Sequence, residues 1–426
     1  MRFDKLPPMS SYPIELTTLS NGLRVAVSPA NTPGVALNIW YDVGSVDEAP
    51  TRTGFAHLFE HLMFQGSANV ASGEHMALIE SMGGTVNATT SFDRTNYFET
   101  VPRGGLELAL WLEADRLSSL SITEENFEAQ RQVVKEEKRE RYDNQPYGDL
   151  LQLLIEQHFP IEHPYGHLPI GSMQHLDDAC LDDVAAFFDA WYRPSNAKLV
   201  LTGPIAVDEG FTLAERYFGH IPRHDAVPAQ APSEVLPLAA TTTTVRRDVP
   251  HSLIYLSWPT STASAPDQPA IDLALSILAD GHASRLHRNL VKREGVAQEV
   301  HALSLTHRNA PSIAVLVVRP GEGVDPHRTA ERALEEITTF VEHGPTDAEF
   351  GRAVAQHERS WLWQLATAED RADLFNEAWQ LWDDPGRANR YLDDVLALTP
   401  EDVRRAAARW LRNDTAHQLY YLQKEA

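Results

Sequence analysis

Two stretches of this chain occur twice, and that recurrence limits its architecture more than any other feature. The segment ITEENFEAQRQVV (122–134) returns in outline as GPTDAEFGRAVAQ (344–356). The segment LDDVAAFFDAWYRPSNAKLVL (181–201) returns as TPEDVRRAAARWLRNDTAHQLYY (399–421), with Trp191 aligned on Trp410. The offsets are 223 and 219 residues, so one unit of a little over 200 residues has been duplicated. The 426 residues therefore divide into a first half over 1–220 and a second over 245–426. Between them, 221–244 carries four prolines, several alanines and a run of four threonines, the composition of a semi-rigid linker.

Each half mixes strand and helix patterns. In the first, Leu23–Val27 follows an Asn-Gly turn and Val35–Val43 is β-branched and aromatic, so both read as strands. Thr53–Gln65 places Phe55, Leu58, Phe59, Leu62 and Met63 at helical spacing. Glu74–Met82 is a second short helix, and Thr85–Thr90 and Thr95–Val101 are strands joined by a polar turn. Leu106–Leu120 is helical. Thr123 then reads as the N-cap of a helix running to about Arg141, with Glu124 and Glu125 in its first turn. In the second half, Ser252–Trp258 reads as a strand and Ala270–Ala279 as an apolar helix.

The strongest chemical signal is His57-Leu58-Phe59-Glu60-His61. On a helix, His57 and His61 stand one turn apart on one face, where two imidazoles converge on a single ion. Glu60 lies at the edge of that face, within reach of a metal-bound water. Two imidazoles and an oxygen ligand suit Zn²⁺, with a fourth position open. A solvated His/Glu face is the bland alternative, but the flanking Leu58, Phe59, Leu62, Met63 and Phe64 are core-like, and buried polar groups need partners. The third ligand has candidates in Val133–Lys138. Glu137 follows Val133 and Val134 by four and three residues and shares their face, whereas Glu136 points toward Lys135 or Arg139. On pattern alone, a wholly exposed charged run fits these residues equally well.

These motifs together resemble the pitrilysin, insulinase and mitochondrial processing peptidase family of zinc endopeptidases. The resemblance rests on H-x-x-E-H at 57–61, with Glu137 lying 76 residues beyond His61. It extends through GGTVNATTSFDRTNYFETVP (83–102), RQVVKEEKRERYDNQPYG (131–148), HPYGHLPIGS (163–172) and FFDAWYRPSNAKLVLTG (187–203). A weaker match is GHASRLHRNLVKREGVAQEV (281–300). It implies an α+β fold of two homologous α/β-roll halves, each a mostly antiparallel sheet packed with helices. It implies Zn²⁺ held by His57, His61 and Glu137, with Glu60 activating water. Asn87, Ala88 and Thr89 resemble the edge strand on which a peptide is held extended, and Arg285 falls in a stretch linked to substrate binding. Gln130, on the Glu137 face, stands where family members often have Glu. In the second half, the residues aligned with His57, Glu60 and His61 are Asp272, Leu275 and Ser276, so the metal set is missing there.

One departure concerns the oxyanion-stabilising Tyr of active members. Gln298 occupies the position where the resemblance leads one to expect it. A dimer follows as the expectation, with a related non-zinc subunit favoured over a second copy as partner. The competing functions are a non-catalytic structural core subunit and a metal-dependent hydrolase of non-peptide substrates.

Composition adds exclusions. With 60 acidic and 36 basic residues the net charge is −24, which repels phosphate backbones and anionic lipid, so neither nucleic acid nor a membrane is an expected partner. A single cysteine, Cys180, excludes an intramolecular disulfide and a Cys-based zinc site. The N-terminus lacks the apolar core of a signal peptide and no apolar stretch reaches 18 residues, so the expected location is the cytoplasm.

Overall fold

The computed structural model describes residues 12–223 and 238–424. Most of the expected linker, 224–237, lies outside the described residues. The first half runs β1 Glu15–Thr18, β2 Arg24–Pro29, β3 Gly34–Tyr41, α1 Phe55–Leu62, α2 Glu74–Ser81, β4 Thr85–Thr90 and β5 Thr95–Pro102. It continues with α3 Leu106–Ser119, α4 Glu124–Lys138, α5 Leu150–His158, α6 Met173–Asp177, α7 Leu181–Trp191, β6 Ala197–Gly203 and α8 Val207–Phe218. The second half runs β7 Thr242–Arg247, β8 Leu253–Pro259, α9 Gln268–Ala279, β9 Ala297–Leu305 and β10 Ile313–Pro320. It ends with α10 Pro326–His343, α11 Asp347–Gln364, α12 Ala368–Trp382, α13 Arg387–Ala397, α14 Pro400–Trp410 and β11 His417–Gln423. None of the described helices is long and apolar enough to cross a membrane.

The strands form two sheets, ordered β1-β2-β6-β3-β5-β4 and β7-β11-β8-β10-β9. Leaving out β1, the sheets have one topology. A parallel pair (β2 with β6, β7 with β11) is followed by three antiparallel neighbours in each. The recurring sequence segments land on equivalent elements. Thr123 and Thr346 both cap a helix through a capping box, and Trp191 and Trp410 both end the helix before the strand that pairs in parallel. Part of the threonine run read as linker is instead strand: Thr242–Thr244 pair with Gln418–Tyr420, which suits a β-branched side chain.

Each half lends a helix to the other's sheet. The α12 residues Ala372, Phe375, Ala378 and Trp379 are buried against Ala26, Ala36 and Val200 of the first sheet. In the opposite direction, Leu154 and Ile155 of α5 belong to one core with Tyr255, Ile313, Val315 and Leu419 of the second sheet. These contacts explain why β3 and β6 are buried along almost their whole length. They are covered on both faces, and such strands read as continuous apolar runs. Polar bonds register the exchange: Asp373 accepts from Asn38 Nδ2 (3.0 Å), Trp40 Nε1 (3.1 Å) and Asn96 Nδ2 (3.1 Å).

Candidate metal centre

Helix α1 exists because one face is apolar. Phe55, Leu58, Phe59 and Leu62 are buried, and Phe59 packs on Phe187, Phe188 and Tyr192 of the α7 region. The helix is shorter at both ends than the spacing predicts, starting at Phe55 after Gly54. Gly54 has φ 97°, a conformation that favours glycine, and a Cβ added at Gly171 would lie 2.3 Å from its Cα. No Ser, Thr, Asp or Asn caps this helix. Its first N–H groups are taken by Glu48, which accepts from Gly54 N (2.9 Å) and Ala56 N (2.7 Å) and contacts His167 Nε2 at 3.0 Å. A buried carboxylate at a helix N-terminus is favoured by the helix dipole.

His57 and His61 project from α1 with ring centroids 4.9 Å apart. Glu137 enters from the last turn of α4, just before a π-helical turn over Arg139–Asp143. The face carrying Glu137 differs in one residue from the sequence expectation. Val134 is fully buried, but Val133 is 47% exposed. The inward stripe runs from Phe127 to Val134, seven residues on, and leaves Val133 about 100° round the helix. Glu136 pairs with Arg139 (2.8 Å) on the solvent side.

The Glu137 Oε2 lies 3.7 Å from His57 Nε2 and 3.4 Å from His61 Nε2. Four ligands at ~2.0–2.1 Å around tetrahedral zinc stand about 3.4 Å from one another. The donor set is therefore spaced for zinc, which tests the fit on geometry alone. Burial and the neighbouring His61 hold the His57 imidazole down at about 4, so it is neutral at pH 7 and has a lone pair to offer. His61, with His57 and Arg141, holds the Glu137 carboxyl below its usual range despite burial. Arg141 binds the other Glu137 oxygen, Oε1, at 2.6 Å and orients it. Glu60 is pushed up by burial, and Thr90 Oγ1 donates to its Oε2 at 2.5 Å.

Thr90 is the last residue of β4, and β4 is the free edge of the first sheet. Asn87 is exposed on that edge, Ala88 is buried and Thr89 half-buried. The Ala88 N–H donates to Asn87 Oδ1 at 2.9 Å. Beneath the strand, Arg94 Nη1 donates to the Thr89 carbonyl (2.9 Å), and the guanidinium lies over Trp40, 4.9 Å from its ring centroid.

The other expected residues are not brought to this centre. Arg285 is engaged within the second half. Its Nε and Nη2 donate to Glu349 (3.1 and 2.6 Å), Nη2 also donates to the Gly344 carbonyl, and its guanidinium packs over Phe340. Arg285 is thus held in an ion pair within the second half. Gln298 is exposed on β9, the edge of the second sheet. Gln130 is half-buried on α4 and makes no hydrogen bond to the imidazoles among the described residues. Asp93 accepts from Tyr165 Oη and from the Arg308 N–H, which ties its turn to the second half. Glu48, Arg94, Arg141 and the bond from Thr90 to Glu60 were missed from sequence. The absence of a side-chain cap before α1 was the one local signal that something distant must satisfy its first N–H groups.

The fold and the centre define a duplicated α+β protein whose first copy carries a His-His-Glu metal-type site, with none in the second copy among the described residues. The family model described as "Insulinase (Peptidase family M16)" matches residues 24–166, and that described as "Peptidase M16 inactive domain" matches 179–357. The chain belongs to peptidase family M16. It is 29% identical to the zinc protease PqqE of Helicobacter pylori over 418 residues, 96% of this chain and 92% of that protein. It is 31% identical to a probable mitochondrial-processing peptidase subunit beta of Schizosaccharomyces pombe over 212 residues, 49% of this chain and 45% of that one. The crystal structure of a protease from Helicobacter pylori superposes with a TM-score of 0.89 at 26% identity, covering 97% of this chain and all of that one. The fold also matches pitrilysin, with a TM-score of 0.82 at 17% identity; 98% of this chain covers 46% of that one.

Proposed function

We propose that the protein is a zinc-dependent endopeptidase acting on peptides or unfolded segments bound as an added strand on β4. The observation that carries this reading is the convergence of two imidazoles and a carboxylate beside Glu60, with Glu60 bonded to the free sheet edge through Thr90. His57, His61 and Glu137 hold the metal. When bound, zinc supplies Lewis-acid polarisation of the scissile carbonyl and lowers the pKa of water toward 7. Glu60 takes a proton from the attacking water on its carboxylate and returns it to the leaving amine. Thr90 fixes the Glu60 carboxylate by donating to Oε2, leaving Oε1 for that exchange. The peptide main chain is held by strand addition to Asn87–Thr90, so affinity depends little on side chains. The relatives named zinc protease support both the metal and the activity.

The working unit we infer is a dimer, with a related chain lacking the metal set preferred over a second copy. Gln298 and the engaged Arg285 support this, because this chain then relies on a partner for oxyanion stabilisation. A cytoplasmic location is part of the same proposal.

Metal analysis of the purified chain tests the reading. About one zinc per chain is expected, and a chelator should abolish cleavage of a quenched peptide library until zinc is restored. A chain without stoichiometric zinc, or cleavage indifferent to the chelator, overturns it.

A further inference from the structure

The second copy has no metal set among the described residues, yet it touches the hairpin that carries the free edge strand. The contact is made by α12. Glu369, Asp373, Asn376 and Gln380 follow one another at spacings of four, three and four residues, so they form one polar stripe along the helix. Glu369 accepts from Thr100 Oγ1 at 2.8 Å, Asn376 donates to the Asn38 carbonyl at 3.0 Å, and Gln380 donates to the Asp93 carbonyl at 2.8 Å. Asp373 Oδ1, near the middle of the stripe, accepts from Asn38, Trp40 and Asn96. The stripe therefore follows β5 from Thr100 down to the turn before Thr95. The remaining α12 contacts are apolar: Ala372, Phe375, Ala378 and Trp379. Apolar contact is non-directional and tolerates a slip of the helix along the sheet. The polar stripe does not, because Asn38, Asn96 and Asn376 are buried and a slip leaves their amides unpaired.

Asn96 passes this contact on to the edge. It stands opposite Thr89 in the β4–β5 register. Thr89 Oγ1 donates to Asn96 Oδ1 at 2.6 Å, and Asn96 Nδ2 donates to Asp373 Oδ1 at 3.1 Å. Arg94 braces the same link: Nη1 donates to the Thr89 carbonyl at 2.9 Å and to Asn96 Oδ1 at 3.2 Å. Its guanidinium lies over Trp40, whose Nε1 is another donor to Asp373. Successive side chains of a strand point to opposite faces. Thr89 accordingly faces α12, while Thr90 faces α1 and donates to Glu60. Two adjacent residues of β4 are thus held from opposite sides, one by the metal helix and one by the second copy. An edge strand has a sheet neighbour on one side only, so its register depends on such bonds.

We propose that Asp373 is a positioning residue for the peptide: through Asn96 and Thr89 it fixes the register of β4 over the metal centre, so that the second copy serves the first copy's reaction. The inference rests on the peptidase reading above. It assigns the metal-free half a part in substrate binding without any contact to the reacting atoms.

Two measurements on the full chain test it. In the first, a quenched peptide long enough to pair along Asn87–Thr90 is cleaved by wild type and variants. Asp373→Ala and Thr89→Val should each raise KM about tenfold, with kcat and zinc content at wild-type values. Asp373→Asn keeps an acceptor oxygen and should stay within about twofold of wild type. The double variant Asp373→Ala with Thr89→Val should be no worse than either single one, because both cut one chain of bonds. In the second, amide exchange is followed on the metal-free protein, which requires no cleavage. In Asp373→Ala, β4 should exchange about tenfold faster while β2 and β6 of the same sheet are unchanged. An unchanged KM in a folded variant, a fall in kcat and zinc content at constant KM, or additive effects in the double variant overturn the proposal. Exchange that rises equally in all three strands also overturns it. If Asp373→Ala does not fold, Thr89→Val, at a half-buried edge position, carries both measurements. If no peptide is cleaved at all, the peptidase reading fails while exchange still decides whether Asp373 holds β4.

Discussion

At the scale of single residues, the centre depends on groups that no local pattern announces. His57, Glu60 and His61 were legible because one helical turn puts them on a common face. Glu137 was narrowed by helix periodicity and selected by the resemblance to the family pattern. Thr90 was not legible as a partner, because 30 residues separate it from Glu60 and only the approach of β4 to α1 joins them. Its hydroxyl is the one described donor to Glu60. Thr90→Val should lower kcat of the zinc-loaded protein about tenfold, with KM little changed, and Thr90→Ser should restore most of it. Equal kcat in Thr90→Val and wild type removes Thr90 from the account. Glu48 was illegible for a related reason. It lies six residues before Gly54, and its capping role depends on the loop that folds it back, with His167 brought in from 119 residues away.

At the scale of elements, β4 carries the functional argument as a free edge. Strand addition needs main-chain groups, so a proline there is more damaging than any side-chain change. Ala88→Pro should reduce kcat/KM by at least about tenfold across unrelated peptides while zinc content stays at one per chain. Uniform retention of activity excludes strand addition at this edge. Local boundaries were well read in the sequence: β4 coincides with the expected segment, α2 and α3 each end one residue short, and Thr123 caps α4. These are decided by turn residues, caps and periodicity within a few positions. The α4 end was less legible, because Arg139–Asp143 continues the helix as a π-turn whose Arg141 pairs back to Glu137 in the last turn of α4. The placement of α12 was not legible at all. Ala372, Phe375 and Trp379 look like any apolar stripe, and nothing local says that their partner is the sheet of the other half.

At the scale of the molecule, the exchange of α5 and α12 makes the two halves one cooperative body, and histidines are concentrated at their junction. His158 of α5 touches Ser257 Oγ (2.9 Å) and lies 4.3 Å, ring to ring, from His417 of β11. His307 packs between Phe92, Phe159 and Tyr165, and its Nδ1 donates to the Pro311 carbonyl at 2.7 Å. Burial pushes His158 well below its ordinary value, His307 to about 4, and His163 and His417 down as well. Their unfolded counterparts take up protons near pH 6.5, so the unfolded chain binds more protons between about 6.5 and 4. The stability these neutral histidines allow is present above pH 6.5 and is lost as pH falls toward 4. The unfolding temperature of the metal-free chain should fall across that window, and His307→Gln should fall less steeply. Parallel curves for the two proteins contradict this origin.

In the proposed reaction Glu60 moves the proton at the His57, His61 and Glu137 centre while those three hold the metal. Glu60→Gln is nearly isosteric and leaves His57, His61 and Glu137 in place. Zinc content and peptide cleavage measured on the same preparation separate holding from chemistry. Both proteins should carry about one zinc per chain, and the variant should lose kcat by at least about a hundredfold. A Glu60→Gln protein that retains zinc and cleaves at the wild-type rate would contradict it.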